Sequence, residues 1–264
     1  MRAARGWMVV GVAAVCLSGC KAKPASEGAV GASASGAAAG SASRVMVSGP
    51  VGSVTGTVAY TGKAPAKVLI DTSMDPACSL NGEKVYTEQI VANAGKLANV
   101  FVYVKSGPAA AMNAADPAPK PVVLDQKGCQ YVPHVIGVMA GGTVEFRNSD
   151  PTMHNVHTMP TEVGNEAIDV SQGPKGAPKD KVFQKPELMI PVRCNNHPWM
   201  NAFINVSATP FFAVTGADGS FDLRGLPPGD YVLGAVQEKL GEQTMNVTVA
   251  ANGTAKAGLR FPAK

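Results

Sequence analysis

The chain has 264 residues, 23 of them basic and 19 acidic, for a formal charge of +4, with charged residues making up only 16%. A cleaved leader would take Arg2 and Arg5 with it and leave 21 basic residues against 19 acidic. That near-neutral balance argues against nucleic-acid binding, which calls for a clustered basic face. Without a marked helical period anywhere, the length suits two modest domains behind a leader and a tether.

Residues 1–19 read as a secretory leader: a positive start from Met1 to Arg5, an apolar stretch from Trp7 to Leu17, then Ser18 and Gly19. The apolar stretch is too short to span a bilayer. Leu17-Ser18-Gly19-Cys20 resembles the lipobox of bacterial lipoproteins, which implies that Cys20 becomes the lipidated first residue of the mature chain. Lys21 stands where an inner-membrane retention signal has Asp, so the resemblance implies an outer-membrane anchor facing the periplasm. Residues 20–49, mostly Ala, Ser and Gly, have too little apolar bulk to fold and read as a flexible tether.

Five cysteines are present. Cys16 leaves with the leader and Cys20 takes lipid, so Cys78, Cys129 and Cys194 remain in a compartment where disulfides persist. If Cys78 and Cys129 pair, Cys194 is a leftover thiol; the pairings that use Cys194 are the alternatives. A Cys78–Cys129 bridge would close a loop worth at most roughly 4 kcal/mol on the chain-entropy model.

From Gly49 onward, short β-branched runs alternate with Gly, Pro, Asn and Asp, the pattern of an all-β sandwich. Strands are expected at 51–60, 67–70, 87–92, 99–105, 122–124, 135–139, 143–148, 181–183, 188–193 and 202–207. The Ala- and Pro-rich stretch 107–121 and the Gly- and Lys-rich stretch 173–180 read as surface loops. The strand at 188–193 runs into Cys194-Asn195-Asn196-His197-Pro198-Trp199-Met200. A thiol, an imidazole and a thioether so close together form a soft-ligand set. Copper is the metal that suits it, because zinc sites draw on Cys, His and carboxylate whereas an axial Met marks blue-copper centres. A second imidazole is available in Asp150-Pro151-Thr152-Met153-His154-Asn155-Val156-His157, just after the strand at 143–148. His157 lies three residues beyond His154 and points to the opposite face of an extended strand. His134 reads as a structural residue.

Glu145 to His157 followed by Val192 to Met200 resembles the copper site of cupredoxins, most closely the amicyanin and short-loop plastocyanin-like members. The likeness covers roughly residues 120–207. It implies a Greek-key sandwich, one type 1 copper and one-electron transfer with a redox partner protein. It also implies a ligand set of His154, Cys194, His197 and the weak axial Met200. Members of the family often carry Ser or Thr after the Cys, bonded to the Asn that follows the first His; here Asn195 takes that place opposite Asn155.

Beyond residue 208 the chain changes character. Phe211 to Leu233 contains Asp218-Gly219-Ser220-Phe221 and Leu226-Pro227-Pro228-Gly229-Asp230-Tyr231. It resembles the carboxypeptidase regulatory-like domain, a small transthyretin-like sandwich grouped with carbohydrate-binding-like folds, which implies a carbohydrate or protein partner. The expected division is 1–19 leader, 20–49 tether, 50–208 copper domain with an N-terminal elaboration, and 209–264 C-terminal sandwich; the alternatives are that 50–119 belongs partly to the other domain and that strand 51–60 opens the C-terminal sandwich, with the copper domain inserted within it. A membrane-tethered electron carrier fits these features together. The alternatives are a non-redox surface module that binds sugar or protein with copper structural or absent, and a copper carrier. A copper enzyme would need further His ligands for a second copper centre, and the chain has four His in all, so no catalytic role is expected.

Overall fold

The computed structural model describes residues 47–80, 84–116 and 118–263. The leader, Cys20 and the tether up to residue 46 lie outside the described residues. In chain order the elements are β1 (Gly52–Thr61), α1 (Pro76–Ser79), β2 (Ala92–Asn93), β3 (Lys96–Leu97), β4 (Phe101–Ser106), α2 (Ala109–Met112), β5 (Val122–Gln126), β6 (Tyr131–Val132), β7 (Val135–Met139), β8 (Thr143–Asn148) and β9 (His154–Thr158). They continue with β10 (Asp169–Gln172), β11 (Lys179–Val182), β12 (Glu187–Arg193), β13 (Asn201–Ser207), β14 (Phe212–Val214), β15 (Ser220–Leu226), β16 (Gly229–Gln237), β17 (Gly241–Val249) and β18 (Thr254–Pro262). The chain is all-β, as its composition of short β-branched runs requires. No helix among the described residues is long and apolar enough to cross a membrane.

The strands form four sheets. One has the order β10-β9-β12-β13-β7 and a second β11-β8-β5-β6. Their inner faces enclose one core, which includes Leu124, Val144, Phe146, Val156, Phe183, Ile190, Val192 and Ile204. A third sheet has β15-β1-β3-β2 with β18 alongside β1, and the fourth is β14-β4-β16-β17. A separate core, including Val54, Val58, Leu97, Val102, Phe221, Leu233 and Phe261, lies among these. Phe101, Val135 and Val236 make a small apolar cluster with Phe203 and Phe212, joining elements of both sandwiches.

Several expectations need correction. Residues 92–106 fall in the segment 50–119, which the sequence leaves either as an elaborated edge or as part of the other domain; β4 hydrogen-bonds to β14 and β16, and β3 to β1. The reason is the apolar alternation of Val100, Val102 and Val104, which completes the core around Val54 and Phe221. Strand β1 runs antiparallel to β15 and parallel to β18. The chain thus leaves this sandwich after β4, builds the strands from β5 to β13, and returns at β14. Among the described residues, 67–70 give a bridge between Leu69 and Tyr86 rather than a strand, and Val68 and Leu69 stay exposed. Of 87–92 only Ala92 enters a strand. The stretch 107–121 is not all surface: α2 buries Ala111, and Ala114 follows it into the core. Alanine is small enough for that turn to lie directly on the sheet.

Candidate metal centre

Two strand ends supply the site. Along β12 the buried residues Ile190 and Val192 point inward, and the two-residue period of a strand carries Cys194 to the same side. Cys194 is a free, buried thiol. On β9, His154 and Val156 are buried and share a face by the same period. β9 and β12 are antiparallel neighbours, with Val192 opposite Thr158 and Arg193 opposite His157. That register brings the start of one strand beside the end of the other, and the Asn155 amide donates to Cys194 Sγ at 3.3 Å.

The loop after Cys194 folds back tightly. The Cys194 amide donates to the Met200 carbonyl at 3.2 Å and the Met200 amide to the His197 carbonyl at 2.9 Å. Pro198 fixes its own φ inside this turn. His197 is thereby returned to the thiol, its Nδ1 lying 3.5 Å from Cys194 Sγ and 2.9 Å from His154 Nδ1. Ligand atoms of His154, Cys194 and His197 all lie within 4.8 Å of one another, a group that could hold a metal ion. Met200 is buried in the same core as Cys194.

The environment of the three residues is charged. His154 Nε2 faces Asp150 Oδ2 at 2.8 Å, and His197 Nε2 faces Asp75 Oδ2 at 2.9 Å. Each ring therefore donates its Nε2 proton to a carboxylate and turns Nδ1 toward the other ring. Two Nδ1 lone pairs at 2.9 Å repel unless a cation, a proton or a metal ion, lies between them. The set of thiolate, two imidazoles and a buried thioether residue fits copper by its chemistry. Burial opposes the thiolate of Cys194, but hydrogen bonds from His154, the Asn155 amide and His197 outweigh it and bring the pKa down to about 6. Burial likewise opposes the charged form of His154, and Asp150 and Cys194 reverse this, raising it to about 9. Asp150 is partly desolvated, yet His154 and the Cys129 and Gly128 amides hold its pKa below the ordinary carboxylate value.

Sequence reasoning missed both carboxylates. Asp150 was within reach, four residues before His154 in a turn, but nothing in the local sequence marks Asp75, which is distant from every ligand. Asp75 caps α1, with Oδ1 accepting from the Ala77 amide at 2.8 Å. Cys78 on that helix is bonded to Cys129. Two other metal-like groups, Asp75 with Cys78 and His197, and Cys129 with Asp150 and His154, use sulfurs already spent in this bridge.

Asn155 and Asn195 also meet. The Asn195 amide donates to Asn155 Oδ1 at 3.3 Å, and both side-chain amides converge on Asp169, at 2.8 Å from Asn155 and 3.2 Å from Asn195. Asp169 on β10 thus completes a clasp between the loops that carry His154 and Cys194. His157 Nδ1 faces Asn195 Oδ1 at 3.2 Å, away from the thiol. His134 is buried between the Asn201 carbonyl and Glu238, with Nε2 2.9 Å from the latter. Trp199 leans on His197 with ring centroids 5.1 Å apart and donates its indole N–H to the Cys129 carbonyl at 3.0 Å.

No protein-family model matches the sequence, and no curated protein matches it. Among solved structures the chain is similar to the copper-containing nitrite reductase of Thermus scotoductus SA-01, with 21% identity over 57% of this chain and a TM-score of 0.31. The chain spans only 28% of that enzyme. It is also similar to a Cu(I) variant of amicyanin, with 22% identity over 41% of this chain and 99% of that one and a TM-score of 0.30. The purple cupredoxin of Nitrosopumilus maritimus gives 20% identity, 33% and 99% coverage and a TM-score of 0.27.

Proposed function

We propose that the chain holds one copper ion, as a type 1 centre, between His154, Cys194, His197 and Met200, and works as a one-electron carrier in the cell envelope. The observation that carries this reading is the convergence of one buried thiol and two imidazole Nδ1 atoms, from separate strand ends, inside 4.8 Å. When bound, copper would supply a site that cycles between Cu(I) and Cu(II), and thiolate with imidazole serves both states. The protein's part is orientation. Asp150 and Asp75 hold the rings, the Asn155 amide steadies the sulfur, and burial keeps water from the ligands.

We read the protein as a carrier rather than an enzyme, because the two histidines outside this set are engaged elsewhere and leave no second imidazole cluster. A lipid on Cys20, an outer-membrane position facing the periplasm, a redox partner protein, and a carbohydrate or protein partner for the C-terminal sandwich complete the proposal. They are supported by sequence resemblance alone.

Adding cupric ion to the soluble chain and recording its visible spectrum tests the reading. An intense thiolate-to-copper band is expected, and Cys194→Ser should abolish it while leaving the fold intact. A wild-type protein that stays colourless under oxidising conditions would overturn it.

A further inference from the structure

The segment that carries Asp75 lies outside the two ligand loops, yet it reaches the site. Asp75 Oδ2 meets His197 Nε2 at 2.9 Å and accepts from the Thr152 hydroxyl at 2.9 Å. Three residues on, Cys78 is bridged to Cys129. The Cys129 amide in turn donates to Asp150 Oδ2 at 2.8 Å, and that same oxygen bonds His154 Nε2. One covalent link therefore joins the two short stretches of chain that hold a carboxylate against each ligand imidazole. His197 is only 3% exposed beneath this cover.

Resting on the copper reading, we propose that Asp75 is a positioning residue of the metal centre, which the Cys78–Cys129 bridge delivers to His197. A carboxylate on the far nitrogen fixes the tautomer, leaving Nδ1 free to bind, and makes the ring a stronger donor. It also adds a negative charge near the ion, so Cu(II) gains more than Cu(I). The two oxygens of Asp75 divide their work: Oδ1 caps α1 through the Ala77 amide and Oδ2 serves His197. A cap alone would accept Asn or Ser equally well. The His197 contact would not, since Asn turns an N–H toward an N–H and Ser is too short.

The experiment separates these roles. Asp75→Asn and Asp75→Ser keep a capping oxygen, so the chain should fold. Both should lose about 10–100-fold in Cu(II) affinity, the cost usual for removing a carboxylate behind a ligand His. Cu(I) affinity should fall less, and each tenfold difference raises the reduction potential by about 59 mV. Asp71→Asn is the control, because the exposed Asp71 side chain engages Ser73 rather than the imidazoles, and it should change neither quantity. If both Asp75 variants keep wild-type Cu(II) affinity and potential, the inference is overturned while the copper reading stands. If the wild-type chain takes up no copper at all, the copper reading falls and takes the inference with it.

Discussion

At the scale of residues, the meeting of His154, Cys194 and His197 was legible because these residues are compressed into two short stretches and strand alternation puts His154, Val156, Val192 and Cys194 inward. The partners of those residues were not legible. Asp75, Asp150 and Asp169 are ordinary acidic residues whose role comes from where the chain carries them. They set up a testable pH dependence. Cys194 has its pKa lowered from 9.0 to about 6, so its thiolate stabilises the fold fully above pH 9, less as pH falls toward 6, and not below. His154 is raised from 6.5 to about 9, so its contribution is complete below pH 6.5 and is lost as pH rises through 9. Between these limits the chelator-treated protein should hold an imidazolium beside a thiolate. Thiolate ultraviolet absorbance should therefore titrate near pH 6, and His154→Gln should move the midpoint toward the ordinary thiol value. A wild-type midpoint already at that ordinary value would contradict the arrangement. Copper uptake should weaken below the same pH, where protons compete for the sulfur.

Among the elements, strands whose apolar residues enter a core, such as β7, β8 and β13, lie within a residue of where the sequence puts them. The segment 67–92 does not, because its apolar residues Val68 and Leu69 remain exposed and its order comes from contacts distant in sequence. α1 is a single turn of four residues, too short to persist alone. Its place depends on the Asp75 cap and on the bridge to the β5–β6 turn. Replacing both Cys78 and Cys129 by Ala should therefore cost about 2–5 kcal/mol, as is usual when a native disulfide is removed. Denaturant unfolding of the metal-free chain would measure this. The same variant should also bind Cu(II) more weakly, since Asp75 loses its tether while every ligand is kept. Unchanged affinity would mean that α1 holds its position without the bridge.

In the whole molecule, the feature furthest from reach of sequence is how the strands are shared between two cores. Resemblance to two known domain types suggested separate sandwiches over roughly 120–207 and 209–264, but the partners of β4 lie in β14 and β16, more than a hundred positions later. β1 has β15 on one side and β18 on the other over most of its length, and β4 lies between β14 and β16. A chain ending at residue 208 keeps every proposed copper ligand together with Asp75 and Asp150. It would still strip both neighbours from β4 and both long neighbours from β1, and leave Val54, Val58, Val102 and Val104 without the cover of Phe221, Leu233 and Phe261. Unpaired strand edges above bare apolar faces associate with other chains. The truncated protein should therefore aggregate or melt without a cooperative transition, as calorimetry would record. A soluble, sharply melting 47–208 fragment with full copper colour would show instead that β1 to β4 can be held by the ligand-bearing sandwich alone.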